Sequence, residues 1–247
     1  MKAETVKELL AWQAPKVEQL IGGGMLHPGS RMILFGRWGT YKSMLAQHTA
    51  FCLTNGKNWL GHSTTRCTVL YAQVEIPKAM MQERIKKYVE NNDVKQGDLW
   101  VLTDQTLRLD RAHSFQTFQL ICQVHRPRVV ILDPVYRMFS GDITDNFAIQ
   151  QMLDKLDNLA AACDLSYILI GHTRKPAILQ DESTRDWGQE LIGGSYIMDW
   201  VDTAVAVELL SDSTIKLHYS KVRHAETMLN PQIVKFDRDS LGFRLAL

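Results

Sequence analysis

The chain has 247 residues, of which 45% are hydrophobic and 22% are charged. Its 28 Lys and Arg residues nearly balance 27 Asp and Glu residues, which leaves a formal net charge of +1. This composition is ordinary for a globular protein, and it excludes a histone-like basic binder and an acidic disordered chain. It does not exclude nucleic-acid binding, because a local basic loop can contact phosphates in a neutral protein.

Membrane and secretion signals are not expected. The sequence has no run of 18 apolar residues, so no segment is predicted to cross a membrane. Its first residues carry acids without an apolar centre, unlike a secretory signal. The cysteines are far apart and form no CxxC pair; they are Cys52, Cys67, Cys122 and Cys163. We therefore expect free thiols and a cytoplasmic location.

The beginning of the chain predicts an amphipathic helix, because apolar residues recur there at helical spacing among Lys and Glu. The residues on this stripe are Val6, Leu9, Leu10, Val17, Leu20 and Ile21. Gly22, Gly23 and Gly24 then end the helix. No later linker or repeat divides the chain. We predict an N-terminal helical extension over residues 1–21 and one domain over residues 22–247.

Beyond the glycines, apolar runs alternate with helical patterns. Buried strands are predicted at residues 32–36, 67–74, 99–102, 128–132 and 165–171. Helices are predicted at residues 43–53, 77–89, 114–124 and 147–163. A polar stretch at residues 172–189 has the length of a functional loop. The last third has strand patterns at residues 200–209, 214–222, 233–236 and 243–247.

These patterns also predict how the strands pair. Strands that are apolar throughout are typical of a parallel sheet with helices on both faces. The strands of the last third have no helices between them, and a turn at residues 211–213 joins two of them, which favours antiparallel pairing. The sequence therefore predicts an α/β fold, with a mostly parallel central sheet flanked by helices and antiparallel C-terminal strands.

The strongest local signal lies between the first predicted strand and the next helix. It consists of Gly36, Arg37, Trp38, Gly39, Thr40, Tyr41, Lys42 and Ser43. In such a loop the backbone N–H groups and the helix N-terminus bind phosphates. Lys42 would reach the β- and γ-phosphate oxygens, and the Ser43 hydroxyl would hold Mg²⁺. The usual pattern has Gly before the lysine, so Tyr41 leaves open a strand–turn–helix without function.

Three further polar residues follow predicted strands. Asp133 ends a strand where an acid can reach a metal bound at the loop. Glu75 follows another strand, where an acid can polarise the attacking water. His172 follows a third strand, where a histidine can sense the γ-phosphate. Taken singly, each could be a cap, a first-turn acid or a solvated histidine. Because the carboxyl ends of parallel strands meet at the edge where such sheets bind ligands, we expect all three beside Lys42.

The order and spacing of these motifs resemble the RecA-like P-loop ATPase superfamily, which includes RecA and RadA recombinases, KaiC and the DnaB- or RepA-type hexameric helicases of phages and plasmids. The resemblance covers residues 20–236. VLYAQVEIP is similar to the strand with the catalytic glutamate, VVILDPVYRMF to the Walker B strand, and LIGHTRKP to the strand with the γ-phosphate sensor. It assigns these roles to Glu75, Asp133 and His172.

Two C-terminal segments extend the resemblance. GGSYIMDWVDTAVAVE is similar to a segment in which a Gly-Ser pair leads into a strand. YSKVRHAE resembles the KxR element that reaches the nucleotide of a neighbouring subunit, which implies that Lys221 and Arg223 act there. The resemblance thus implies an enzyme that hydrolyses ATP with Mg²⁺ at the interfaces of a homo-oligomer, expected to be a hexameric ring.

The resemblance also implies two loops that line a central channel, at residues 136–147 and 174–189. The cations expected to bind single-stranded DNA are Arg137, Arg174, Lys175 and Arg185. Cations would contact phosphates and aromatic residues could stack on bases. Acidic residues in the second loop leave open that it is only solvated.

Three functions remain open from the sequence. The first is a RepA-like helicase or single-stranded DNA translocase. The second is a recombinase or recombination mediator that forms filaments on DNA. The third is a KaiC-like ATPase switch that acts on a protein partner. The KxR element favours the ring helicase.

Overall fold

The structure, a computed structural model, describes residues 3–13, 17–141, 145–173, 187–191 and 194–246. The described helices are α1 (Val6–Ala11), α2 (Lys42–Asn55), α3 (Lys78–Asn91), α4 (Ala112–His125), α5 (Asn146–Cys163), α6 (Trp187–Glu190) and α7 (Gly194–Trp200). The described strands are β1 (Arg31–Gly36), β2 (Val69–Gln73), β3 (Leu99–Thr103), β4 (Val129–Asp133), β5 (Ser166–His172), β6 (Thr203–Ser211), β7 (Thr214–Val222), β8 (Gln232–Phe236) and β9 (Phe243–Leu245). A 3₁₀ turn spans Val135–Met138.

The described strands form one sheet in the order β3-β2-β4-β5-β1-β6-β7-β8-β9. The six strands from β3 to β6 pair in parallel, and β7, β8 and β9 continue the sheet antiparallel. The predicted fold class is confirmed. We call the edge where β1, β2, β4 and β5 end, at Gly36, Gln73, Asp133 and His172, the carboxyl edge. The opposite edge, where β1 begins at Arg31, is the amino edge.

Helices cover both faces of the parallel strands. One core contains buried side chains of α2 and α3, and the other contains those of α4, α5 and α7. Within β1, Met32 and Leu34 belong to the first core, whereas Ile33 and Phe35 belong to the second. Successive side chains of a strand point to opposite faces, so a strand between two cores is apolar at every position.

The helix predicted over the first 21 residues is wrong in its extent. α1 ends at Ala11, and both Leu20 and Ile21 lie in the core with no exposed surface. Their N–H groups donate to the Leu26 carbonyl at 2.8 and 3.1 Å, so this segment is a turn against the sheet domain. One apolar periodicity therefore spans two environments. The division into an extension over residues 1–21 and a domain over residues 22–247 stays a prediction.

Two further expectations need correction. The chain is helical in α7 before it enters β6 at Thr203, so the Gly-Ser pair does not lead directly into a strand and Trp200 does not begin one. The first predicted channel loop begins inside the 3₁₀ turn, and its last residue, Phe147, lies in α5. Most of the second predicted loop, residues 174–186, lies outside the described residues.

The predictions on thiols and membranes have separate outcomes. All four cysteines are free, as predicted, and Cys52, Cys67 and Cys122 are buried. In the described part of the chain, no helix has the length and apolarity that a membrane span requires.

Candidate functional site

The carboxyl edge brings together the residues that the sequence places after strands. The register pairs Gly36 with His172 across β1 and β5, and Gln73 with Asp133 across β2 and β4. The Val74 N–H donates to the Asp133 carbonyl at 3.1 Å, which holds the segment before Glu75 against the end of β4. The predicted meeting of strand ends is therefore observed.

The loop between β1 and α2 turns through two left-handed residues. Gly39 has φ +77°, and Tyr41 has φ 61° and ψ 18° directly before α2. Gly36 is required for a different reason, because a Cβ there would collide with the Val207 carbonyl group of β6. The Thr40 hydroxyl donates to the Arg37 carbonyl at 2.9 Å and closes the loop. This conformation curls the loop ahead of the N-terminus of α2, as an anion site requires.

The side chain of Lys42 is almost completely buried at the base of this loop, with 5% of the residue exposed. Its Nζ donates to the Arg37 carbonyl and, at 3.2 Å, to the Thr40 hydroxyl. Burial lowers the pKa of Lys42 to about 8, against the opposing effect of Asp133 and Glu75. Among the described residues no carboxylate forms an ion pair with it. A buried ammonium in this situation is suited to an anionic ligand.

Ser43 and Asp133 form the candidate metal site. The Ser43 hydroxyl donates to Asp133 Oδ1 at 3.0 Å, and the Tyr71 hydroxyl donates to Asp133 Oδ2. Burial raises the pKa of Asp133, although both hydrogen bonds act in the opposite direction. One hydroxyl oxygen and one carboxylate are the hard oxygen donors that Mg²⁺ prefers. The donor set fits the ion, which would keep its other positions for water and phosphate oxygens.

Glu75 lies just beyond β2 on a turn built by Gln73. The Gln73 side chain is buried, and its Oε1 accepts the N–H groups of Glu75 and Ile76 at 3.1 and 3.0 Å. The Glu75 carboxylate accepts a hydrogen bond from the Tyr136 hydroxyl and pairs with Arg137 Nε, both at 3.2 Å. The acid is therefore oriented by the 3₁₀ turn after β4 and stays near Lys42 and Asp133.

His172 ends β5, which lies between β1 and β4 at the same edge of the sheet. Its ring meets the Tyr136 ring edge-on at 5.0 Å between centroids. Burial, with the nearby charges of Lys42 and Arg137, lowers the pKa of His172 to about 4. The imidazole is consequently neutral at pH 7.

Lys221 and Arg223 lie at the other edge of the sheet. Lys221 pairs with Ala204 at the start of β6, which is level with the start of β1. Gly36 lies four residues beyond Met32 along β1, a distance of about 13 Å at the usual rise of 3.3 Å per residue. The fold therefore places both cations away from the phosphate-loop edge of their own chain.

Both cations have partners at the end of α7. Lys221 Nζ donates to the Met198 carbonyl at 2.6 Å, and Arg223 donates to the Asp199 carbonyl at 3.3 Å. Arg223 also pairs with Asp202 at 2.8 Å. Cations are favourable at the C-terminus of a helix, because its carbonyl groups carry partial negative charge. Both side chains therefore contact the end of α7 in their own chain, and their action at a neighbour's nucleotide stays a prediction.

The DNA candidates are only partly described. Arg137 lies beside Glu75, with about half of its side chain exposed. Arg174, Lys175 and Arg185 lie outside the described residues. Contact with DNA stays a prediction for all four.

Tyr71 and Gln73 were not predicted as site residues from the sequence, and Tyr136 was expected only in the first channel loop and not beside Glu75. Tyr71 and Gln73 are the polar members of an otherwise apolar strand, and a buried hydroxyl or amide needs a partner. That signal was present in VLYAQV. For Tyr136 no comparable signal exists, because the 3₁₀ turn that directs its hydroxyl to Glu75 has no distinctive pattern.

The class of protein follows from where the sheet places the loop. A phosphate-binding loop follows the central parallel strand β1, and Asp133 at the end of β4, two strands away in the sheet, accepts a hydrogen bond from Ser43 after the loop. This arrangement defines a P-loop ATPase of the RecA-like class. A family model described as "AAA domain" matches residues 1–177, more than half of the sequence. The chain belongs to this AAA domain family.

Solved structures share the fold. The chain is similar to a structure described as an ATPase domain, with a TM-score of 0.65 and 12% identity over 97% of this chain and 95% of that chain. It is also similar to the KaiC-like protein PH0186 from Pyrococcus horikoshii OT3, with a TM-score of 0.62 and 13% identity over 92% and 94%. Among curated proteins, no sequence matches.

Proposed function

We propose that the protein hydrolyses ATP at the interfaces of a hexameric ring and couples hydrolysis to movement on single-stranded DNA, as a helicase or translocase. The observation that carries this proposal is the separation of two sets of groups. Lys42 and its neighbours lie at the carboxyl edge, whereas Lys221 and Arg223 lie at the amino edge. A site that uses both sets needs two copies of the chain, and repetition of one such contact can close a ring.

In the proposed reaction, the carboxyl edge binds ATP and activates water. Lys42 and the loop N–H groups bind the β- and γ-phosphates, and Ser43 and Asp133 would hold Mg²⁺. The ion, when bound, neutralises charge on the phosphate oxygens. Glu75 orients the attacking water and accepts its proton. The neutral imidazole of His172 can exchange a hydrogen bond with the γ-phosphate without adding charge.

The neighbouring subunit supplies Lys221 and Arg223. Charge that develops on the phosphate oxygens in the transition state is stabilised by cations held in place beforehand. The α7 carbonyls and Asp202 hold these two side chains at the surface of the chain. The neighbour's cations therefore need little ordering when two subunits meet.

The link to DNA uses the first channel loop. Arg137 pairs with Glu75 and is half exposed, so it can face both the acid and a ligand outside the chain. A DNA phosphate that draws Arg137 away leaves Glu75 with the Tyr136 hydroxyl alone. Arg174, Lys175 and Arg185 are the further proposed DNA contacts. Contact with DNA would thus change the surroundings of the group that activates water.

A second candidate is an ATPase switch that acts on a protein partner. The similarity to the KaiC-like protein favours it. In this case the trans cations remain necessary, but DNA has no effect on hydrolysis. A filament-forming recombinase would differ from both in its assembly.

The deciding experiment measures ATP hydrolysis with and without single-stranded DNA, together with the mass of the assembly by native mass spectrometry. We expect a six-chain assembly in which DNA raises the hydrolysis rate several-fold. Replacing Lys175 and Arg185 by Gln should weaken DNA binding and reduce its log–log salt slope by about 0.7 per lost contact. Lys86→Gln, on the exposed side of α3, is the control. A rate indifferent to DNA favours the switch, open filaments favour the recombinase, and absence of hydrolysis overturns the proposal.

A further inference from the structure

Tyr41 stands where the phosphate-loop pattern has glycine, and its backbone is left-handed, at φ 61° and ψ 18°. An L-residue with a Cβ is strained in this region, and glycine is not. The conformation persists only if other contacts of the residue hold it. The side chain of Tyr41 provides such contacts.

The Tyr41 side chain leaves the loop and joins the antiparallel part of the sheet. Its ring stacks on Phe236 of β8, with 4.5 Å between centroids and 29° between planes. Its hydroxyl donates to the Asp212 carbonyl in the turn between β6 and β7. Arg238 Nη2 donates to the Tyr41 hydroxyl oxygen at 3.0 Å.

Arg238 fixes the other half of this contact. The same Nη2 lies 3.1 Å from the Asp212 carbonyl oxygen and 2.8 Å from Asp212 Oδ1. Tyr41, Asp212 and Arg238 therefore form one hydrogen-bonded cluster, which we call the tether. It joins residues that are 171 and 197 positions from Tyr41 in the sequence.

The backbone of Tyr41 is what the tether controls. The Tyr41 carbonyl accepts the Leu45 N–H at 2.8 Å, the first hydrogen bond of α2. Lys42 and Ser43 follow directly, so the orientation of Tyr41 sets the direction in which their N–H groups and side chains leave the loop. Among the described residues, no other side chain of the loop has a hydrogen bond or ring contact with the antiparallel strands.

We propose that Tyr41 is a positioning residue, and that the tether holds the phosphate loop in its nucleotide-binding conformation before the nucleotide arrives. The β6–β7 turn and Arg238 thereby become part of the nucleotide site without touching the phosphates. In a loop with glycine at this position, the free backbone adopts the conformation by itself. Here an aromatic anchor imposes it, which makes loop geometry depend on the C-terminal strands. This inference rests on the proposed binding of ATP.

The test uses Tyr41→Phe, which keeps the stacking and removes the hydroxyl, Arg238→Gln, and their double variant. Arg244→Gln is the matched control, because Arg244 lies on neighbouring β9 with no hydrogen bond to the tether in the described structure. Two quantities are measured: the Kd for Mg-ADP by calorimetry, and amide hydrogen exchange of residues 37–45 in the ligand-free protein. Unchanged melting temperatures show that the variants remain folded, and Tyr41→Phe alone suffices if Arg238→Gln does not fold.

We expect each single variant to raise the Kd by about 3- to 10-fold, the usual effect of one lost hydrogen bond. The double variant should add little, because both changes break one cluster. KM for ATP should rise in parallel while kcat stays within about twofold, since the tether acts before chemistry. Tyr41→Gly should exchange fastest, because it loses stacking as well.

Three results would contradict the proposed role of the tether or the proposed binding of ATP on which it rests. If Tyr41→Phe and Arg238→Gln match the wild type in both Kd and exchange, Tyr41 only fills space. If Tyr41→Gly binds Mg-ADP more tightly than the wild type, Tyr41 strains the loop instead of positioning it. If the wild type does not bind Mg-ADP at all, the proposed function fails, and the exchange of the ligand-free loop still decides whether the tether orders it.

Discussion

The charged side chains at the two edges of the sheet differ in their exposure to solvent. At the carboxyl edge Lys42 and Asp133 are 5% and 4% exposed, and their partners are loop and strand groups beside them. At the amino edge Arg223 has 48% of its side chain exposed and rests on the end of α7. Burial strengthens the electrostatic interactions of the first set and holds its side chains in place for the proposed phosphates. Exposure leaves the second set open to another molecule, which is what a cation acting in trans requires.

The largest effect is expected when Arg223 of the amino edge is replaced. Arg223→Ala should lower ATP turnover by about 1000-fold, the lower range for a trans arginine, and leave Mg-ADP affinity nearly unchanged. The control is Arg244→Ala, which removes an exposed arginine outside the proposed site. Arg238 is not suitable as a control because it belongs to the tether. Equal losses of Mg-ADP affinity and turnover would mean that Arg223 has a structural role, through its ion pair with Asp202.

A mixture of variants tests whether the site is shared. Subunits with Arg223→Ala and subunits with Lys42→Ala are each expected to lose most turnover on their own. A mixed assembly contains some interfaces with an intact Lys42 from one subunit and an intact Arg223 from the other. Partial recovery of turnover is expected. No recovery in assemblies shown by mass to be mixed would contradict the trans arrangement.

Glu75→Gln should have the next largest effect. The amide keeps the shape but cannot accept the proton of water, so turnover should fall by about 100- to 1000-fold while nucleotide affinity changes little. Glu83→Gln, on the exposed side of α3, is the control. A loss of Mg-ADP affinity as large as the loss of turnover would make Glu75 a structural or metal-binding residue.

Lys42→Ala should weaken Mg-ADP binding by about 100-fold, because charge-assisted hydrogen bonds to phosphate are lost. The measurement is calorimetry, with Lys78→Ala at the exposed start of α3 as the control. Unchanged affinity would mean that phosphates bind elsewhere.

The smallest effect concerns His172. Its imidazole, followed by NMR and assigned with His172→Gln, should titrate at a pKa of about 4, far below the ordinary 6.5. The folded chain consequently loses stability as pH falls from 6.5 towards 4, because only the unfolded chain takes up that proton readily. Lys42→Ala should raise this pKa by removing a neighbouring charge, whereas Arg223→Ala should leave it unchanged. A shift with Arg223→Ala would mean that the edges are not separate.

The sequence predicts the parallel half of the molecule well, for a physical reason. β1, β2, β4 and β5 lie between two cores, so nearly every side chain is apolar, and a polar residue at the end of such a strand stands out, although Gln73 at the end of β2 was missed. Asp133 and His172 are found in this way. The motif spacing then orders the strands along the chain, although it does not say which strands are neighbours in the sheet.

Features that depend on distant parts of the chain could not be predicted. The apolar residues of α1 and the buried Leu20 share one periodicity although they pack differently. The cluster of Tyr41, Asp212 and Arg238 joins three segments, and no local pattern connects them. Tyr41 at a glycine position was visible as an exception, but its explanation lies in the β6–β7 turn.

Asp202 links the start of β1 to Arg223, although the phosphate loop lies at the far end of the same strand. Its carboxylate accepts the Arg31 N–H at 3.0 Å and pairs with Arg223 at 2.8 Å. β1 then runs from Arg31 to Gly36, where the phosphate loop starts. Asp202 therefore connects Arg223, which is proposed to act at a neighbour's nucleotide, with the base of the strand that carries this subunit's own loop. If the proposed ring forms, the six residues of β1 would connect the contact with one nucleotide to the loop that binds the next, and hydrolysis at neighbouring interfaces would be coupled through this strand.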